Sequence, residues 1–208
     1  MNLPRTALGL ALGRRLPTTS GKLAVRGLDA PVTIRRDSYG VPHIDARTER
    51  DAWYAAGFCQ GQDRAFQLEM MLRMVRGSIA ALVGREGLAM DRLARRIGFQ
   101  RSAETQYPAL DEATRETLAS FARGVTDGAT LGSPKRAHEF AILRAEPTPY
   151  QPTDPLALMK YLSLVLSPWP RRGLKLLVDT GLAAHVLPEL PALQLERDEH
   201  HRHKDVYD

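Results

Sequence analysis

The sequence predicts a helix-rich α+β fold. Three observations carry it: a hairpin pattern over residues 32–44, apolar residues at helical spacing from Thr48 onward, and an Asp-Pro helix start at Asp154-Pro155. Residues 1–20 read as a short helical arm. Leu23-Ala24-Val25 and Val32-Thr33-Ile34 read as strands joined by a turn at Gly27-Leu28-Asp29-Ala30-Pro31. Asp37-Ser38-Tyr39-Gly40 is a second turn, with Asp as acceptor at its start and Gly at its end. Val41 to Ile44 returns as the paired strand. Thr48-Glu49-Arg50-Asp51 has the form of a capping box, with Asp in place of Glu.

A long helix comes next, with Phe66, Met70 (or Leu68), Leu72, Val75, Ile79 and Leu82 on one face and Gly84 at its end. A short helix is expected from Asp91 to Ile97, and another from Asp111 with Leu118, Phe121 and Val125 along one side. Pro147 to Pro152 breaks the pattern. Asp154 then caps a helix carrying Leu158, Leu162 and Val165, with Pro155 in the first turn, where its missing N–H costs nothing. A last helix is expected from Leu174 to Leu187. From Glu189 the chain turns polar. The expected organisation is therefore an arm at 1–20, one domain at 21–188, and a polar tail at 189–208 that reads as disordered or as the start of a linker peptide.

The 208 residues suffice for one domain with a real core, and 43% hydrophobic with 25% charged is usual for a folded protein. The net charge of +5 comes from arginines scattered along the chain beside acidic residues, which argues against nucleic acid as a partner. Arg5 and the run Ala7 to Gly13 are closed by Arg14-Arg15, where a cleavage site would need small residues, so no signal peptide is evident. Nothing approaches the roughly 20 apolar residues of a membrane span. The compartment stays open between periplasm and cytoplasm. The single Cys59 sits in an apolar helical context and reads as a buried, inert thiol.

No catalytic constellation stands out. Asp63 and Arg64 are adjacent on a helix and cannot face one another, so Asp63 is expected to cap a neighbouring element and Arg64 to reach a carboxylate or carbonyls. His43, between Pro42 and Ile44, reads as a hydrogen-bonded structural histidine. Glu69, Glu104 and Glu139 have no carboxylate partner at helical spacing. His200, His201 and His203 lack the spacing that puts two imidazoles on one helix face, and read as a solvated tail. No phosphate loop, zinc knuckle or Gly-x-Ser-x-Gly elbow occurs, and no serine has a His/Asp order around it.

One ordered set of residues goes further. It comprises Arg36-Asp37, Gly40-Val41-Pro42-His43-Ile44, Gly57-Phe58, Gln62-Asp63-Arg64, Gln67, Glu69, Arg76-Gly77 and Gly84. It continues through Asp91-Arg92, Gly98, Arg101, Ala103-Glu104, Phe121 to Val125, Glu139-Phe140, Leu143, Pro147 to Pro152 and Asp154. This order resembles the α-chain region of the penicillin acylase (penicillin amidase) family over roughly residues 20–190. The resemblance implies the α-chain portion of an αββα N-terminal-nucleophile hydrolase sandwich, cut from a precursor. It implies a β chain of the same precursor as partner, a small-molecule amide as substrate, and a nucleophilic serine on that β chain. Ser167 and Trp169 then become candidates for one wall of the acyl pocket, and no catalytic group falls within the chain. Thr126 departs from the family, which usually has Asn there. Arg172 falls where relatives often carry a Glu that helps hold calcium. A guanidinium cannot ligate Ca²⁺, which argues against calcium binding through this chain. The alternative readings are a non-catalytic remnant or binding module of the same family, and a basic helical nucleic-acid-binding protein. The acyl group stays open among phenylacetyl, aliphatic, glutaryl and acyl-homoserine lactone.

Overall fold

A computed structural model describes residues 15–166 and Asp179. The chain divides into two compact units, Met1–Leu72 with Ala103–Pro155, and Arg73–Ser102 with Leu156–Asp208.

In the first unit, β1 (Thr33–Arg36) and β2 (Pro42–Asp45) form a two-stranded antiparallel sheet that pairs Ile34 with Ile44 and Arg35 with His43. The turn between them is tied by Asp37, whose Oδ1 accepts the N–H groups of Tyr39 (2.9 Å) and Val41 (3.0 Å). The hairpin expected from sequence is therefore present. Residues 22–25 are not a strand, and the described end of the arm, residues 15–20, is not helical. Leu23 is exposed there, so alternation of type alone had no buried face to favour.

Helix α1 (Glu49–Arg76) starts as the capping pattern suggests: Thr48 Oγ1 accepts the Asp51 N–H at 3.1 Å. The Asp51 carboxylate, however, serves another element. It accepts the N–H groups of Asp29 (2.9 Å) and Ala30 (3.0 Å), and it is wholly buried there. Helix α1 kinks at Arg64, where the backbone leaves helical values (φ −130°, ψ 24°).

Asp63 does not cap a neighbour. It clasps Arg36 of β1 with both oxygens, at 2.8 and 2.9 Å, while Gln62 Oε1 takes a third guanidinium bond at 2.8 Å. This fork-to-fork pair locks the hairpin onto α1.

Helix α5 (Glu112–Leu131) opens on Asp111, whose carboxylate accepts the Thr114 N–H at 2.9 Å, as expected. It crosses α1 with almost no side chain between the backbones. A Cβ on Gly57 would stand 2.2 Å from Phe121 O, and one on Gly61 would stand 2.1 Å from Val125 O. Reciprocally, a Cβ on Gly124 or Gly128 would stand 2.0 or 2.1 Å from the carbonyls of Tyr54 or Phe58. Two Gly-x-x-x-Gly runs interlock, which only glycine permits at this separation. Around the crossing lie buried Tyr54, Ala55, Cys59, Ala122 and Val125. The short helix α6 (His138–Ile142) contributes Phe140, edge-on to Phe66 at 5.4 Å.

In the second unit the long helix ends earlier than the apolar periodicity suggests. Gly77 (φ +62°) terminates α1. Ile79 and Leu82 belong instead to the start of α2 (Ala80–Val83), which runs into a 3₁₀ turn at Gly84–Gly87. Helix α3 (Leu88–Ile97) begins before Asp91, so Asp91 does not start it. Its carboxylate instead accepts the N–H groups of Ile79 (2.7 Å) and Ala80 (3.0 Å), capping α2 from outside. Helix α4 (Phe99–Gln106), unforeseen in the sequence, starts in this unit, and Phe99 meets Tyr161 edge-on at 5.7 Å.

The expected α7 (Asp154–Leu166) is present. The Asp154 carboxylate reaches back to the Gln151 N–H at 2.5 Å, the returning half of a capping box. The expected helix at 174–187 and the polar tail lie outside the described residues.

Candidate functional site

A half-open groove of about 410 Å³ lies on the first unit. Helix α5 supplies one side of it, because Glu116, Ala119, Ala122 and Arg123 recur at spacings that share a helix face. The start of α1 supplies Arg50, and Ser120 Oγ donates to the Arg50 carbonyl at 2.8 Å, which fixes the two helices at this point. Tyr150, Gln151 and Pro152 form the far wall. That wall is held: the Tyr150 N–H donates to Thr126 Oγ1 at 2.9 Å, and the buried Glu69 carboxylate accepts the N–H and hydroxyl of Thr148, each at 2.7 Å. Phe121 meets Tyr150 edge-on at 6.5 Å. Arg50 pairs with Asp29, so its charge is already answered. Arg123 and Glu116 are exposed.

None of the described residues weighed as catalytic or metal candidates lines this groove, but Ala122, Arg123, Tyr150, Gln151 and Pro152 of the family-like set do. Ser167 and Trp169 lie outside the described residues, as do Arg171, Arg172 and the histidines at 200, 201 and 203. His43 is a hydrogen-bonded residue of the hairpin, its Nε2 standing 3.2 Å from Asp37 Oδ2. That bond, with the N–H groups of Val41 and Tyr39, holds the Asp37 carboxyl below the usual carboxylate range. Burial pushes the Cys59 thiol up, which keeps it protonated and unreactive at neutral pH. Burial and then its 2.5 Å bond to Asp127 Oδ2 push the Tyr54 hydroxyl upward as well.

Among the described residues no three His, Cys, Asp or Glu side chains are grouped to hold a metal, and no helix is long and apolar enough to cross a membrane. The groove can bind by charge and shape. It has no nucleophile paired with a base. Its signal in the sequence was the repeat of Glu116, Ala119, Ala122 and Arg123 on one side of α5. Only the folded loop at 150–152 shows that this side is walled.

The penicillin amidase family model matches residues 31–197. The chain is 38% identical over 156 residues to penicillin acylase 2 proenzyme of Pseudomonas sp. (strain SE83), covering 75% of this chain and 20% of that protein. It is 34% identical over 110 residues to acyl-homoserine lactone acylase QuiP of Pseudomonas aeruginosa, covering 53% of this chain and 13% of that protein. The chain thus spans about a fifth or less of the length of these curated relatives. Its fold is that of a chain of the thermostable penicillin G acylase from Alcaligenes faecalis. The TM-score is 0.58 at 22% identity, over 84% of this chain and 96% of that one.

Proposed function

Because the chain belongs to the penicillin amidase family, we propose that it is the α-subunit portion of an amide hydrolase whose nucleophile resides on a β chain of the same precursor. The observation that carries this reading is the family match over residues 31–197. The clasped hairpin and tightly crossed helices support a scaffolding role. The proenzyme named among the relatives is a precursor, which supports a chain that works after processing. The domain at 21–188 would be the α-chain body, with Ser167 and Trp169 forming one wall of the acyl pocket.

The proposed chemistry is acyl transfer. A serine freed at the β-chain N-terminus attacks the carbonyl of a linear amide, and its own α-amino group takes the hydroxyl proton. Backbone and side-chain donors of the β chain stabilise the oxyanion. The C–N bond breaks, the amine leaves with a proton, and water then cleaves the acyl ester. The substrate class is a small N-acyl compound, either a β-lactam carrying an acyl side chain or an N-acyl homoserine lactone.

The test is co-expression of this chain with its downstream β-coding segment. The purified assembly is assayed on a chromogenic phenylacetyl amide and on N-acyl homoserine lactones. Hydrolysis by the assembly, with none by the 208-residue chain alone, is expected. Activity of the chain alone would overturn the assignment of the nucleophile. An inactive, correctly assembled pair would make the chain a non-catalytic member of the family.

A further inference from the structure

The groove on the first unit lies outside the roles proposed for acyl transfer, yet its charges are arranged. Glu116 and Arg123 both line it and both are exposed. Neither side chain forms a hydrogen bond or ion pair among the described residues, though the Arg123 guanidinium lies over Gly27 and within electrostatic reach of the Tyr54 hydroxyl. They are seven positions apart on α5, so their backbones stand about 10 Å apart along the helix axis. Between them the floor is Ala119 and Ala122, small enough to leave room over the helix. Arg50, the remaining charge on the lining, is taken by Asp29 and does not upset the balance. Tyr150 is buried and pinned through its N–H, so the wall opposite the floor is pre-formed.

A slot of about 410 Å³ with one free anion and one free cation at opposite ends suits a molecule with the same charges reversed. A lone anion would answer only Arg123, and a lone cation only Glu116, so a molecule carrying both charges gains the second pairing. A dipeptide spans about 7 Å between its ends when extended, and the two flexible side chains can close the remainder. We infer that this groove binds a small zwitterion of dipeptide length, with its ammonium group on Glu116 and its carboxylate on Arg123. The site is half open, so each ion pair contributes modestly and binding is weak and salt-sensitive.

The probes are glycylglycine, N-acetyl-glycylglycine, which keeps only the carboxylate, and glycylglycine amide, which keeps only the ammonium group. Each is titrated against the 208-residue chain by saturation-transfer NMR at low protein concentration. Each capped probe should bind about fivefold more weakly than glycylglycine, the effect of one exposed ion pair. Glu116→Gln and Arg123→Gln should each lose about the same factor, and the exchanged pair Glu116→Arg with Arg123→Glu should recover most of it. Both positions are exposed, and circular dichroism of the variants checks that the fold is kept. Equal affinity for free and capped probes, indifference to both single variants, or no binding of glycylglycine would each overturn the inference.

Discussion

Asp51 shows how one carboxylate carries a distant contact. Burial pushes its pKa up, but the N–H groups of Asp29 and Ala30 and the Thr48 hydroxyl favour the charged form more, and the net shift is downward. A carboxyl lowered on folding adds stability at pH values above its ordinary pKa near 4, and that contribution fades as pH falls through the lower folded value. Asp51→Asn should therefore cost about 2 kcal/mol at neutral pH, where two backbone donors lose a charged acceptor. The deficit should narrow at pH 3, which urea unfolding at the two pH values measures. An unchanged deficit would show that geometry, and not charge, sets the cost. The capping signature at Thr48 was legible in the sequence because N-capping is local. The destination of the Asp51 carboxylate was not, since Asp29 and Ala30 lie 22 and 21 residues upstream. Arg172 supports a prediction of the same grain. The resemblance implies a calcium-ligating Glu where Arg172 stands, so the proposed α–β assembly should keep its activity after dialysis against EDTA. Loss of activity restored by added Ca²⁺ would show that the ligand is supplied from another position.

Among the elements, the α1–α5 crossing is the most demanding of sequence. Gly124→Ala places a methyl group 2.0 Å from Tyr54 O, and the contact is with backbone, which cannot swing aside. The helices must part, and the buried Ala55, Ala122 and Val125 lose contacts with them. The expected loss is about 3 kcal/mol, the upper end of the usual overpacking range. Thermal unfolding should register it as a fall of roughly 6–12 °C. Thr130→Ala, an exposed position on the same helix, should shift the midpoint far less. The same crossing explains what periodicity could and could not reveal. Gly57, Gly61, Gly124 and Gly128 are visible in the sequence, but glycine lowers an apolar signal, so an apolar count places no contact there. The early stop of α1 was missed for the converse reason. Ile79 and Leu82 continue the helical spacing by coincidence, while the Asp91 carboxylate takes the Ile79 and Ala80 N–H groups and starts a separate helix. A buried cap from outside overrides a local pattern.

At the scale of the whole chain, the family was legible because its motif residues are structural. Arg36 and Asp63 form the hairpin clasp, Gly57 serves the crossing, Gly77 the helix stop, and Glu69 the tether to Thr148. Each is required by a backbone shape or a buried bond, so each leaves a mark on the sequence. The groove was only half legible: Ala122, Arg123 and Tyr150 to Pro152 fall in the family-like set, but Glu116 looks like any solvated residue until the loop at 150–152 is in place. Helix α7 points to how this chain behaves by itself. Its sequence is apolar nearly all round, with Met159 64% and Leu166 78% exposed and Leu162 and Val165 about half so. A helix of that composition ordinarily lies inside a larger protein, and a contiguous apolar face left in water promotes association. The 208-residue chain should therefore self-associate as its concentration rises and bind a hydrophobic dye. Met159→Lys together with Leu166→Lys should suppress both, because each Lys puts a charge on that face and neither replaced side chain is in the core. Sedimentation velocity over a range of concentrations is the direct measurement. A wild-type chain that stays monomeric and dye-silent throughout would show that this face is already covered by other residues of the same chain.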